Sequence, residues 1–123
     1  MRLAIVSDIH GNLEALQAVL RDIEGRQVDQ IACLGDVVGY GCDPVACLDL
    51  VTQHCAVTLM GNHEHAVLGQ LGDQSMNELA QASMEWTKQQ LNDRHLQTIS
   101  RFPMDHSIGN VYLVHASDRK SVV

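Results

Sequence analysis

The sequence predicts an α/β protein in which a β-α-β-α-β unit with a parallel sheet is followed by helices and a β-hairpin. Short apolar runs alternate with amphipathic stretches through the first half, which is typical of strands joined by helical crossovers. Polar or glycine residues close each apolar run. The length of 123 residues, with 46% apolar and 19% charged side chains, favours one globular domain spanning residues 1–123.

The first strand and the first helix are predicted between residues 3 and 25. Leu3–Val6 is a short apolar run, typical of a buried strand, and it ends in Ser7 and Asp8. Asn12 is a typical helix N-cap, and Gly25 is a typical helix end. Apolar side chains at steps of three and four residues give this helix one apolar face: Leu13, Leu16, Leu20 and Ile23.

Two further strands and a second helix complete the predicted parallel unit. Gln30–Leu34 is the second apolar run, and Ala56–Met60 is the third. Between them, Asp43 in the N-cap position and Pro44 in the first helical position predict the start of a helix. The connections are expected to be right-handed, which places the carboxyl ends of all three strands at one edge of the sheet.

The second half has weaker patterns. Met76–Leu91 is predicted as a helix and Asn92–Ser100 as a shorter one. Leu68–Ser75 is the least patterned stretch and is expected to be a mobile loop. Asp105–Ile108 and Val111–Val114 flank a glycine–asparagine pair, which is a signal for a two-residue hairpin.

Composition excludes several classes of function. The net charge of −7 argues against non-specific nucleic-acid binding, which needs clustered lysine and arginine. No apolar run approaches the roughly 20 residues of a membrane span, and the first ten residues do not resemble a signal peptide. We therefore expect a cytoplasmic protein without a membrane partner. Its cysteines lack CxxC spacing and are expected to be free thiols: Cys33, Cys42, Cys47 and Cys55.

Side chains that can bind metal follow four of the predicted strands: Asp8, His10, Asp36, Asn62 and His115. Ligands of open α/β sheets bind at the carboxyl ends of the strands, so these side chains are expected to converge. Alternation along a strand would put Asp8 and His10 on one side, and the Asp36 carboxylate could bridge two ions. Such donors suit Mn²⁺, Fe²⁺ or Zn²⁺, and two ions about 3.5–4 Å apart can hold a phosphoryl group.

Each of these residues also has a purely structural interpretation. Asp8 alone is more often a helix cap, and Asp36 could be a turn residue. Asn62 could supply a left-handed turn, and His115 could be a satisfied histidine near a strand end. Five such residues after four strands are nevertheless improbable as independent caps and turns.

Four short motifs carry a resemblance to a known family. Asp8–His10, Gly35–Gly39, Gly61–Glu64 and Val114–His115 match, in order, the motifs D-x-H, G-D-x-x-G, G-N-H-[DE] and a later H. The chain thus resembles the calcineurin-like metallophosphoesterases, especially their small bacterial and archaeal members. The resemblance implies the first half of an αββα sandwich.

The resemblance implies two divalent metal ions. Asp8 and His10 would bind the first ion, Asp36 would bridge both, and Asn62 and His115 would bind the second. Mn²⁺ is the first choice among these ions, with Fe²⁺, Zn²⁺ and Ni²⁺ as alternatives.

The resemblance also implies a reaction. A metal-bound hydroxide would hydrolyse phosphodiesters or phosphomonoesters, and the substrate would be a small phosphate ester or a nucleotide. His63 would be catalytic, either binding a phosphoryl oxygen or protonating the leaving group. Glu64 would orient or tune the His63 imidazole.

One departure from the family pattern bears on the metal sites. A final G-H-[TS]-H motif is absent, so each metal site would lack one imidazole, and weaker or single occupancy is expected. His95 and His106 are not expected to replace it, since a solvated helix face and a strand surface account for them. The sequence leaves open whether this is a fragment, a truncated product or a natural short form. The alternative function is a non-catalytic metal-binding or interaction module, with homo-oligomers expected from an open sheet edge.

Overall fold

A parallel sheet, an antiparallel hairpin and five helices form the fold in a computed structural model, which describes residues 1–70 and 77–116. The strands are β1 (Leu3–Val6), β2 (Gln30–Cys33), β3 (Val57–Thr58), β4 (Asp105–Ile108) and β5 (Val111–Val114). The helices are α1 (Leu13–Glu24), α2 (Pro44–His54), α3 (Asn62–Val67), α4 (Glu78–Gln90) and α5 (Asp93–Ser100). The predicted α/β class, with its β-α-β-α-β unit, helices and hairpin, is confirmed.

The parallel sheet has the strand order β1-β2-β3. Leu3 pairs with Gln30 and Val6 with Cys33, so the two strands end level with each other. The third strand is shorter than predicted. Leu59 still donates to the carbonyl of Cys33 at 2.9 Å, but Met60 donates to the carbonyl of Pro103 at 2.8 Å. The chain therefore leaves the sheet after Thr58 and turns towards the segment before the hairpin.

The helix ends follow the local sequence signals closely. Asn12 Oδ1 accepts from the N–H of Ala15 at 3.1 Å, and α1 ends at Gly25, as predicted. Asp43 precedes Pro44 at the start of α2, but its side chain makes no capping hydrogen bond. The helix α4 begins after Asn77, whose side chain accepts from Ala80. The predicted start at residue 76, most of the predicted loop 68–75 and the tail 117–123 lie outside the described residues.

His95 is a correction to the sequence interpretation. Its side chain is buried and not solvated on a helix face. Nδ1 of His95 accepts a hydrogen bond from the N–H of Asn92 at 3.1 Å, which turns the ring back towards the start of the helix. Asn92 Oδ1 in return accepts from the N–H of His95 at 3.0 Å. The two residues form a reciprocal cap at the start of α5. His106 lies exposed on β4, as predicted.

The apolar core lies on both faces of the parallel sheet. On one face, Cys33 packs in a cluster with side chains from the helices, among them Leu16, Val51 and Ile99. The neighbouring Ala32 points to the opposite face and packs with hairpin residues, including Leu113. The hairpin therefore covers the face that the helices leave open. None of the helices among residues 1–70 and 77–116 has the length and apolar character required to cross a membrane.

Candidate metal centre

The loops that follow β1 and β2 position three of the predicted ligands. Asp8, His10 and Asp36 all lie beyond the strand ends and have φ angles of 56°, 51° and 56°. The expectation that strand alternation aligns Asp8 with His10 is therefore wrong. Instead, the two loops run side by side: the N–H of Asp8 donates to Gly35 and the N–H of His10 to Asp36, each at 2.9 Å. The left-handed backbone and the hydrogen bonds between the two loops together orient these side chains towards one another.

Asp36 is the centre of the cluster and is only 3% exposed. Its Oδ2 lies 3.2 Å from Nε2 of His115 and 3.9 Å from Nε2 of His10. His10 Nε2 lies 3.4 Å from Oδ1 of Asp8, and His115 Nε2 lies 3.3 Å from Oδ1 of Asn62. The structure thus brings all five predicted ligand side chains to one place.

The hydrogen bonds of the His10 and His115 imidazoles indicate whether a cation can bind between these rings and Asp36. Nδ1 of His10 faces the carbonyl of Val38 at 3.2 Å, and Nδ1 of His115 faces the carbonyl of Leu34 at 2.7 Å. A carbonyl only accepts, so each Nδ1 carries the proton, and in the neutral ring each Nε2 is a bare acceptor. Both bare acceptors face the Asp36 carboxylate, another acceptor. Nitrogen and oxygen donors in this arrangement fit a divalent cation.

Hydrogen bonding determines the ionisation of the outer carboxylate of the cluster, Asp8. Asp8 is half exposed and accepts a hydrogen bond from Ser7 Oγ at 2.6 Å. Partial burial by itself would raise the pKa of Asp8, but side-chain hydrogen bonding, first with Ser7 and then with Asp36, lowers it below its ordinary value. The Asp8 side chain is therefore held as a carboxylate.

Glu64 lies on α3, is fully buried, and binds the backbone that carries the Asp36 side chain. Its Oε1 accepts from the N–H groups of Asp36 at 2.7 Å and Gly61 at 2.9 Å. Its Oε2 accepts from Val37 at 2.9 Å and Val38 at 3.2 Å. Burial raises the pKa of Glu64, and these N–H groups oppose the shift. Within the part of the chain that the structure describes, the hydrogen bonds of the Glu64 carboxylate go to the backbone and not to the His63 imidazole, which the sequence interpretation expected it to orient.

His63 lies beside the proposed ligands and is 5% exposed. Its backbone N–H donates to Asp36 Oδ1 at 2.9 Å, and its ring centroid lies 4.6 Å from that of His10. Burial lowers the pKa of the His63 imidazole, while the charge of Asp36 acts in the opposite direction. Nitrogen atoms of His63 and His10 and an oxygen of Asp36 lie within 4.8 Å of one another, so the geometry alone allows His63 to be a ligand as well.

The sequence interpretation missed two structural features of the site. The helix α3 was not predicted, since six residues are too few to show a helical period. Tyr40 was not among the predicted site residues, yet its ring centroid lies 4.8 Å from that of His63 and 5.2 Å from that of His10. The signal that could have found Tyr40 is an aromatic residue enclosed by glycines, in Gly39–Gly41.

Comparisons with known proteins extend this description. The chain matches the family described as calcineurin-like phosphoesterase over residues 1–121. It is 39% identical, over 102 residues, to the uncharacterized protein MJ0912 of Methanocaldococcus jannaschii, covering 83% of this chain and 42% of that protein.

Solved structures give the same result. A metallophosphoesterase from Sphaerobacter thermophilus is 40% identical with a TM-score of 0.76, covering 91% of this chain and 45% of that one. A putative diadenosine tetraphosphatase is 27% identical with a TM-score of 0.76, covering 94% of this chain and 50% of that one. The chain thus spans about half the length of the relatives it matches.

Proposed function

This chain belongs to the calcineurin-like phosphoesterase family, and from that premise we propose that it is a metal-dependent hydrolase of phosphate esters. The supporting observation is the buried Asp36 carboxylate, whose Oδ2 faces bare Nε2 atoms of both His10 and His115. Three acceptors without a donor between them are satisfied by a cation. The proposal covers both phosphodiesters and phosphomonoesters, with nucleotides as candidates because one similar structure is that of a putative diadenosine tetraphosphatase.

We assign the proposed ligands to two divalent ions, with Mn²⁺ as the first choice. Asp8 and His10 would hold one ion, Asn62 and His115 the other, and Asp36 would bridge them. Bound there, the ions would neutralise a phosphoryl group and lower the pKa of a water molecule. Their positive charge would also offset the repulsion between an anionic substrate and a chain of net charge −7.

The protein's own groups hold this arrangement in place. Carbonyls of Leu34 and Val38 fix the rings of His115 and His10, so Nε2 of each ring needs no reorientation before binding. The backbone N–H of His63 fixes Oδ1 of Asp36 and leaves Oδ2 for the ions. The His63 imidazole would then donate a proton to the leaving group, or a hydrogen bond to a phosphoryl oxygen.

Turnover of bis(p-nitrophenyl) phosphate by the purified chain, with added Mn²⁺, tests the proposed function. We expect Mn²⁺-dependent release of p-nitrophenolate that stops when a chelator is added and returns when Mn²⁺ is restored. Calorimetric titration with Mn²⁺ reports binding separately. A folded chain that bound Mn²⁺ and released no product from this diester, from p-nitrophenyl phosphate or from nucleotides would contradict the proposal.

That outcome would favour the second candidate, a metal-binding module without activity of its own. The observation behind this candidate is that the chain covers only 42–50% of the relatives it matches. Such a module would pair with another chain through its exposed sheet edge at β1. Light scattering across a range of concentrations distinguishes a paired module from a monomeric enzyme.

The substitution His63→Asn tests whether His63 acts as a proton donor or as a metal ligand. We expect kcat to fall about 100-fold while Mn²⁺ affinity stays within a few-fold of the wild type, because a proton donor is lost and the proposed ligands remain. The matched control is His54→Asn, since His54 lies exposed at the end of α2. A parallel loss of Mn²⁺ affinity in the His63 variant would show that His63 binds metal instead.

A further inference from the structure

The His63 imidazole lacks the hydrogen bond that usually orients a functional histidine. Its Nδ1 is buried and has no hydrogen-bond partner, whereas Nδ1 of both His10 and His115 faces a carbonyl. Nδ1 of His63 lies instead against the backbone of Gly39, where an added Cβ would collide with the ring. Gly39 has a φ of +96°, so both its backbone conformation and this contact require glycine. Among the described residues, the Nδ1 side of the ring is therefore positioned by packing.

Tyr40 supplies the other side of that packing. Its ring makes an edge contact with His63, at 4.8 Å between centroids and an angle of 62° between planes. It also lies 5.2 Å from His10, and His10 lies 4.6 Å from His63, so the three rings contact one another in a triangle. Edge-to-face contacts at these distances are favourable and directional. Tyr40 thus restricts the rotation of an imidazole whose Nδ1 makes no hydrogen bond.

Burial of the side chain does not explain the unusual backbone conformation of Tyr40. The side chain is 58% exposed, and its φ of +70° is disfavoured for any residue other than glycine. The described residues other than glycine with positive φ are Asp8, His10, Gln27, Asp36 and Tyr40. Three of the other four carry proposed metal ligands, and Tyr40 shares their strained conformation beside the same site. Strain of this kind is typical of functional positions.

Backbone hydrogen bonds hold Tyr40 in this conformation. Its N–H donates to Ser83 Oγ on α4 at 2.9 Å. The next residue, Gly41, donates its N–H to the carbonyl of His10 at 2.8 Å. The ring is consequently presented to His63 from a fixed backbone and not from a free loop.

We infer that Tyr40 is a positioning residue that orients the His63 imidazole through ring contact. The inference rests on the proposed function for its catalytic consequence, and on the ring geometry alone for the orientation itself. The phenol oxygen has no part in it, so phenylalanine should replace tyrosine and a residue without a ring should not.

Three variants of the full chain test the inference: Tyr40→Phe, Tyr40→Leu and Tyr40→Ala. With bis(p-nitrophenyl) phosphate and Mn²⁺, we expect kcat to fall about 10-fold in the Leu and Ala variants, with KM within about 2-fold of the wild type. The Phe variant should keep the wild-type kcat. An unchanged kcat in the Leu variant, or equal losses in Phe and Leu, would overturn the inference.

A spectroscopic measurement on metal-free protein gives a readout independent of activity. Nuclear Overhauser contacts between the His63 ring protons and Gly39, against which the ring packs, should weaken in the Leu variant, because the imidazole is no longer held, and should persist in the Phe variant. Contacts of the His115 ring, whose Nδ1 faces the carbonyl of Leu34, should not change. Unchanged contacts between His63 and Gly39 in the Leu variant would overturn the inference. If the wild type turned over no ester, the proposed function would fail and this spectrum alone would decide whether Tyr40 orients the ring.

Discussion

Asp36→Asn is expected to reduce turnover to the rate seen without added metal. Oδ2 of the proposed bridging carboxylate lies within 4 Å of both His10 Nε2 and His115 Nε2. We expect Mn²⁺ affinity to fall by more than about 100-fold, since even groups outside the ligand set change affinity 10–100-fold. Calorimetric titration and hydrolysis of bis(p-nitrophenyl) phosphate measure the two effects.

The same substitution should leave the fold intact. The amide oxygen can still accept from the N–H of His63, which now bonds Oδ1 of the carboxylate. The amide NH₂ then faces Nε2 of His115 and supplies the donor that this acceptor lacks. Thermal stability without metal is therefore expected to be unchanged or slightly raised, which is typical of sites where function opposes stability.

Asp49→Asn is the matched control for this prediction. Asp49 lies exposed on α2, and its replacement removes the same charge without touching the site. Turnover and Mn²⁺ affinity should stay at wild-type values. If Asp36→Asn kept its Mn²⁺-dependent turnover, the cluster around Asp36 would not be the catalytic centre.

The sequence was sufficient for the elements whose signals are local. The helix α1 begins after Asn12 and ends before Gly25, because N-cap and C-cap signals act within a few residues of the chain. The hairpin at Asp105–Val114 follows from its central glycine–asparagine pair. The convergence of polar groups at one sheet edge was predictable too, since parallel strands joined by crossovers must end on the same side.

The sequence was insufficient where a contact between distant segments decides the geometry. The strand β3 stops at Thr58 because Met60 bonds to Pro103, more than forty residues away. Asp8 and His10 leave the strand geometry because their loop pairs with the loop that carries Asp36. A period-two pattern read along a single strand contains neither of these contacts.

The roles of individual side chains were the least predictable feature. Glu64 stands next to His63 in sequence, which suggested a contact between their side chains, but a helix points neighbouring side chains in different directions. Its carboxylate instead reaches backbone groups 26 to 28 residues earlier. Tyr40 carries no motif of its own, and its importance is visible only when the three rings are placed in space.

Glu64→Gln is expected to be the most destabilising single change among those considered. The carboxylate accepts hydrogen bonds from four backbone N–H groups: those of Asp36, Val37, Val38 and Gly61. Glutamine has the same shape but only one acceptor oxygen, and its NH₂ group would face two of these N–H groups. Leaving buried donors unpaired should lower the free energy of unfolding by about 3–5 kcal/mol. Urea denaturation of metal-free protein measures the loss.

Glu85→Gln is the matched control, because Glu85 lies exposed on α4, where its Oε1 lies 3.6 Å from Nζ of Lys88. Its effect should stay within about 0.5 kcal/mol. A Glu64 variant as stable as this control would contradict the supporting role.

The Glu64 variant also decides between two accounts of this residue. If Glu64 acts on the backbone that carries Asp36, stability and Mn²⁺ affinity should fall together, because the same N–H groups fix the loop and the proposed bridging carboxylate. If it instead tuned the His63 imidazole, kcat would fall while stability and Mn²⁺ affinity stayed unchanged. The hydrogen bonds favour the first outcome, since both carboxylate oxygens are already engaged by the main chain. Glu64 would then be a structural residue that stabilises the loop of Asp36, although it is adjacent in sequence to the proposed catalytic His63.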